Sequence, residues 1–216
     1  MSMLKALAAW LFPVVMLALQ GCASPYEHAA KPTSPESLVQ NVALAVSDGL
    51  LLRDDFYSDE NIRLVLGARE IKTSFNETGG RLFGDRNEKL PSYRYFLNDF
   101  PELVPAARIQ GDLIKFVDGH GSIKQVVLRM TVGPPDERLG MKSVLAIVGG
   151  NCAEDQKAEN DLFMAITREP WNPPPKPFKI MACKSVDGGY ERLFRLKFNH
   201  ENRLDDLNVT VTEEGL

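Results

Sequence analysis

The chain is poor in the residues that carry most covalent chemistry. Its 216 residues include three histidines, three cysteines and two tryptophans. It has no HExxH pattern, no nucleophile elbow and no clustered pair of catalytic acids, so no motif points to a hydrolase or a zinc enzyme. No catalytic, cofactor-binding or metal-binding residue is expected. An excess of positive charge is also missing: 25 Lys and Arg stand against 29 Asp and Glu, a formal net charge of −4. A nucleic-acid binder needs a concentrated basic face, and docking on anionic lipid needs a polybasic patch; the composition speaks against both. Nor is there an apolar run of the roughly 20 residues a membrane-spanning helix requires. The longest run, Ala6–Leu19, is shorter and is interrupted by Pro13. Disorder is disfavoured too, because 44% hydrophobic and 25% charged residues match an ordinary packed domain.

What is present begins at the N-terminus. Lys5 followed by Ala6–Leu19 reads as the basic and apolar parts of a secretory leader. The next residues, Leu19-Gln20-Gly21-Cys22, resemble a bacterial lipobox. That resemblance implies removal of residues 1–21, a diacylglyceryl group on the Cys22 sulfur and usually an acyl chain on the new amino group. At about 0.8 kcal/mol per buried CH₂, two or three chains make a lasting membrane anchor. Ala23 stands where inner-membrane lipoproteins of enterobacteria carry Asp, so the analogy implies the outer membrane, facing the periplasm. The alternative is an ordinary secretory leader with an incidental cysteine.

Three cysteines are an odd number for an exported protein. Lipid on Cys22 leaves Cys152 and Cys183. In an oxidising periplasm these can pair, which for a loop of that length stabilises by roughly 3–4 kcal/mol on the chain-entropy model; otherwise they stay as two buried thiols. Two cysteines without a nearby histidine are too few for a metal.

Along the mature chain, residues 22–33 are small, polar and proline-containing and read as a flexible tether, with a reach of about 35–40 Å when extended. Ser34-Pro35-Glu36 is a helix start, followed by Val39, Val42, Ala43, Val46 and Leu50 at helical spacing. Ser58-Asp59-Glu60 starts a second helix, which Gly67 stops. Strands are expected at Glu70–Phe75, Tyr93–Leu97, Arg108–Val117 and Ser122–Val132, the last two joined by a turn at Asp118-Gly119-His120-Gly121. Gly133-Pro134-Pro135 marks a boundary. Beyond it, Asp136 caps a helix through Met141, Val144, Leu145 and Val148, and strands are expected at Asp161–Thr167, Phe178–Lys184, Tyr190–Phe198 and Leu204–Thr212.

The two halves match each other. Gly67 precedes Phe116 by the same distance as Gly149 precedes Phe198. Ile114-Lys115-Phe116 corresponds to Leu196-Lys197-Phe198, each leads to a turn with a histidine, and the following strands both end Thr-Val (Thr131-Val132, Thr210-Val211). Fixed spacing with a repeated element order points to a duplicated unit. The expected fold is therefore α+β: two tandem units, residues 34–132 and 133–216, each with one or two helices packed on a four-stranded antiparallel meander. That order, with Ser58-Asp59-Glu60-Asn61-Ile62-Arg63-Leu64-Val65-Leu66-Gly67 as a polar-capped helix ending Leu-Gly, resembles the SmpA/OmlA family of lipoproteins from the outer-membrane barrel-assembly complex. It is also similar to the tandem-unit fold of the β-lactamase inhibitor protein.

Candidate contact residues are few. Trp171, beside the rigid Asn172–Pro177 stretch, would order cheaply on binding a partner, or else packs on the sheet. His120 and His200 occupy matching turns and read as polar turn residues rather than as a ligand pair. Asp54, Asp55, Asp59 and Glu60 lack an EF-hand spacing and suit a helix N-terminus. Gly79–Gly84 lacks the strand-to-helix setting of a phosphate loop. The expectation is a lipid-anchored, non-catalytic envelope protein that binds another protein. An inhibitor or immunity protein against a hydrolase or toxin, and a binder of cell-wall glycan or a small ligand, are the alternatives.

Overall fold

A computed structural model describes residue 26 and residues 30–75, 92–103, 106–167 and 176–214. The expected leader (residues 1–21), Cys22, Gly79–Gly84 and Trp171 lie outside the described residues.

The first helix, α1 (Pro35–Ser47), begins as its sequence dictates. The Ser34 side chain accepts from the Ser37 N–H and Ser37 reciprocates on the Ser34 backbone, with Pro35 in the first turn, so two of the orphan donors at the helix start are satisfied. Two 3₁₀ turns (Leu50–Leu52, Asp54–Tyr57) lead to α2 (Asp59–Leu66), capped by Ser58. Gly67 ends α2 in the left-handed region at φ +68, and a Cβ there would meet Pro32 and Asn98 at 2.6 and 2.7 Å. The buried Asn98 side chain donates to the Leu66 carbonyl at 3.0 Å, satisfying a terminal acceptor.

Strands β1 (Glu70–Phe75), β2 (Ser92–Phe100), β3 (Ala107–Val117) and β4 (Ile123–Gly133) follow as a meander. After a 3₁₀ turn (Glu137–Leu139) come α3 (Met141–Val148), β5 (Asn151–Glu154), α4 (Gln156–Thr167), β6 (Lys179–Asp187), β7 (Tyr190–Phe198) and β8 (Leu204–Glu213). All neighbouring strands are antiparallel, in the order β1-β2-β3-β4-β8-β7-β6-β5.

The expectation of two separate four-stranded units is corrected here. The described residues form four α-helices and one eight-stranded sheet. Strands β4 and β8 pair edge to edge over Gln125–Thr131 and Asp206–Thr212, because two exposed sheet edges are a liability that mutual pairing removes. Aligning Thr131-Val132 on Thr210-Val211 sets Arg129 on Asn208, and those two residues are partners across this seam. The two residues that the sequence alignment equates thus meet near the centre of the seam. Register shifts fall at Phe116/Val117 in β3 and at Lys197/Phe198 in β7, close to the residues the repeat equates.

Asp161–Thr167 is not a strand but the second part of α4. Asp155 caps that helix, accepting from the Ala158 N–H at 3.0 Å. The missing strand is the short β5, which pairs with β6. Where β5 runs out, α4 takes over the β6 edge: the Asp155 N–H donates to the Ile180 carbonyl, and the Ile180 N–H donates to Glu159. Asp136 caps the 3₁₀ turn rather than α3. The segment 22–33 is not free along its length. The Tyr26 ring is buried against Phe56 and its hydroxyl donates to Asp55 at 2.9 Å, while Pro32 is buried beside Gly67.

Helix α1 packs on α2 and α3, and together with the 3₁₀ turns they cover one face of the sheet. Val126, Leu128, Met130 and Val132 of β4 and Leu207, Val209 and Val211 of β8 are buried there. Cys152 and Cys183 are direct cross-strand partners on the same face and are joined by a disulfide, with Cα atoms 4.0 Å apart.

Candidate functional site

The other face of the sheet carries α4 over its second half, and among the described residues no helix lies over its first half. Because side chains alternate along a strand, the residues between the buried ones must emerge there. Register places Lys72, Tyr95, Asp112, Arg129, Asn208, Arg195 and Ala182 in one row across seven strands. A neighbouring row runs Glu70, Leu97, Gln110, Thr131, Asp206 and Lys197.

In the first half these rows line a depression of about 460 Å³, with Tyr95, Asp112, Arg129, Gln110 and Leu97 among its walls. Gly111 lies in its lining. A Cβ at Gly111 would come 2.3 Å from the Arg129 carbonyl oxygen and 2.6 Å from the Phe96 ring, so this position accepts only glycine. In the second half the equivalent surface is occupied: Arg195 is paired with Asp155 at 3.2 Å, and Ile180 is buried.

The charges on the open face differ in how they are satisfied. Lys72 is paired with Glu70 at 2.8 Å, and Asp206 accepts from Thr131 at 2.8 Å and pairs with Lys197 at 3.2 Å. Asp112 and Arg129 are opposite each other, yet among the described residues neither side chain makes a hydrogen bond or an ion pair. Partial burial of the Asp112 carboxyl pushes its pKa above the ordinary value, outweighing the opposing attraction of Arg129. Tyr95 stands next to Asp112 in register and is 46% exposed. The arrangement offers a hydrogen-bond acceptor, a guanidinium donor and an aromatic surface within one shallow area. It holds no nucleophile with an adjacent base.

The residues singled out from the sequence are not gathered here. His120 and His200 lie in the β3–β4 and β7–β8 turns, which the antiparallel seam puts at opposite ends of the sheet. The His120 N–H donates to Asp118, closing the turn. The acidic run is taken up in the fold: Asp54 pairs with Lys115 at 2.8 Å, Asp55 with Arg53 at 3.0 Å and Asp59 with Arg94 at 3.0 Å. Among the described residues no cluster of three or more His, Cys, Asp or Glu could hold a metal ion, and no helix is long and apolar enough to cross a membrane. Sequence reasoning missed Tyr95, Asp112 and Arg129. The signal that could have found them is the alternation of β2 to β4, which puts charged and aromatic residues on the sheet face opposite α1–α3, where among the described residues no helix lies over β2–β4. Comparison with family models, curated proteins and solved structures found no match for the chain.

Proposed function

We propose that the chain is a lipid-anchored envelope protein, held at the periplasmic face of the outer membrane through Cys22, which binds another protein with the open face of its sheet. The observation that carries this reading is the row of exposed Tyr95, partly accessible Asp112 and exposed Arg129 lining one depression. A continuous sheet face with an aromatic residue and unengaged charges has the make-up of a protein-recognition surface. The lipobox pattern supports the anchor. Because Tyr26 is docked on Phe56, only residues 23–25 separate the anchor from the folded body, a span of about 14 Å at full extension. The body is then held close against the membrane, on the helix-layer side where Tyr26 docks.

Two experiments test this. A Cys22→Ser variant is expected in the soluble fraction or as uncleaved precursor; a cleaved variant that stays membrane-bound overturns the anchor. A photo-crosslinking residue at Tyr95 or at Thr131 is expected to trap one specific protein in intact cells, while one at Leu44 on α1 traps none. No adduct at either sheet position overturns the protein-binding reading. The identity of the adduct separates an assembly component from a hydrolase or toxin that the chain would inhibit. A small-ligand or glycan reading draws support from the size of the depression, which lies within the ~300–1,000 Å³ of ligand sites, and from Tyr95 at its wall. Chemical-shift changes at Tyr95 on adding soluble cell-wall fragments would favour it.

A further inference from the structure

The open face is uneven in its electrostatics, and the unevenness says what it takes. Resting on the protein-binding reading, we propose that Asp112, Tyr95 and Arg129 are its recognition centre, and that the centre receives a lysine or arginine side chain from a partner protein's loop. Asp112 would accept from that cation, Tyr95 would cover its aliphatic stem, and Arg129 would turn to a carboxylate or main-chain carbonyl next to it on the same loop.

Three observations lead there. First, among the described residues Asp112 and Arg129 are the two charged side chains lining the depression that make no hydrogen bond or ion pair, Arg129 acting on Asp112 only by its charge from the opposite strand, while Glu70 and Lys72 pair with each other. Second, the two are not equivalent. Arg129 is exposed and solvated, whereas Asp112 is only partly accessible. A half-buried carboxylate without a donor is the group with most to gain from a new cation. Third, Tyr95 lies beside Asp112 in register and is nearly half exposed, and an aromatic ring next to a carboxylate suits a cation by its face as well as its charge. The presence of Arg129 argues against a bare cation, which it would repel, and for a loop that brings both signs. The depression lies on the face of a sheet rather than inside the fold, whereas free small ligands are held in clefts that enclose most of their surface.

The test uses the full-length chain in cells. A photo-crosslinker at Tyr95 traps the partner, and mass spectrometry locates the joined segment. We expect that segment to contain a lysine or arginine flanked by an acid. Asp112→Asn should weaken binding of the purified partner at least about tenfold, as loss of one member of a desolvated charge pair does, and Asp112→Lys should abolish it. Exchanging the partner's basic residue for Asp should restore binding to Asp112→Lys. The variants' melting temperatures show that the loss is not unfolding. An adduct whose yield and affinity are unchanged in Asp112→Asn, or whose joined segment carries no basic residue, overturns this inference and leaves the broader reading standing. Failure of both sheet positions to trap any protein overturns that broader reading, and this one with it.

Discussion

The two faces of the sheet are built from the same strands and have little else in common. On the helix side, β4 presents Val126, Leu128, Met130 and Val132, all at 3% exposure or less. One residue along, it presents Gln125, Val127, Arg129 and Thr131 to the other side. The pleat alone separates them. Stability is thereby concentrated on one face and chemistry left to the other, so a residue and its neighbour in sequence answer to different physical demands. The comparison predicts that substitutions on the two faces separate cleanly, and each of the following measurements can break or refine it.

The largest effect belongs to the core of the seam. Leu128→Ala leaves a cavity between the sheet and the helices and should cost about 3–4 kcal/mol in urea unfolding, whereas Arg129→Ala, one residue away, should stay within about 0.5 kcal/mol. Equal costs would mean that the open face is not free. Next comes the disulfide. The paired replacement Cys152→Ser, Cys183→Ser should cost about 2–4 kcal/mol on the loop-closure model, with hydrogen exchange rising first in β5 and β6, since β5 is a short edge strand. Gly111→Ala tests a place where the two faces meet through the backbone. Its Cβ would be driven into the Arg129 carbonyl and the Phe96 ring, and a loss of about 1–3 kcal/mol is expected, together with altered chemical shifts at Arg129 and Asp112.

The smallest effects are titrations, and they carry opposite signs for the hydrogen-bonded acids and for Asp112. Asp136 is buried, which raises its pKa, but hydrogen bonds from the Arg138 side chain and N–H win and hold it below the ordinary range. The Ala158 N–H, and then Arg195, do the same for Asp155; the Ser122 and His120 N–H groups do it for Asp118. Such depressed acids contribute stability above their unfolded pKa that is lost as pH falls through their folded values, so acid should unfold the chain. Asp112 runs the other way. Its raised pKa favours the protonated form in the folded state, so its contribution is most favourable below the unfolded acid range and is lost as pH rises through the folded value. Asp112→Asn should therefore be slightly more stable than the wild type at neutral pH, with the advantage vanishing in acid. A variant less stable at neutral pH would show that Asp112 has a partner in the free protein.

Much of the fold was legible locally. Ser34 and Ser58 start helices because a hydroxyl before a helical run satisfies an orphan N–H. The β3–β4 hairpin followed from Asp118 and the glycines around His120, and the alternation in β4 identified its buried face. The pairing of Cys152 with Cys183 followed from counting. Less of the site could be read. Phe163, Met164 and Ala165 read as a strand because a short apolar run fits either period, while the cap at Asp155, which decides for a helix, was passed over. Tyr26 read as part of a tether because nothing local announces a distant Phe56. Asp112 was one acid among 29.

The division follows from the range of the interactions. Caps, turns and alternation act over a few positions, so the sequence by itself determined where helices start and which strand residues face inward. The joining of β4 to β8, the docking of Tyr26 on Phe56 and the absence, among the described residues, of a hydrogen-bond donor to Asp112 depend on residues that are far apart in the chain. A strand edge carries the same backbone groups whatever it pairs with, and a carboxylate gives no local sign of whether a partner will reach it; only the packed structure decides both.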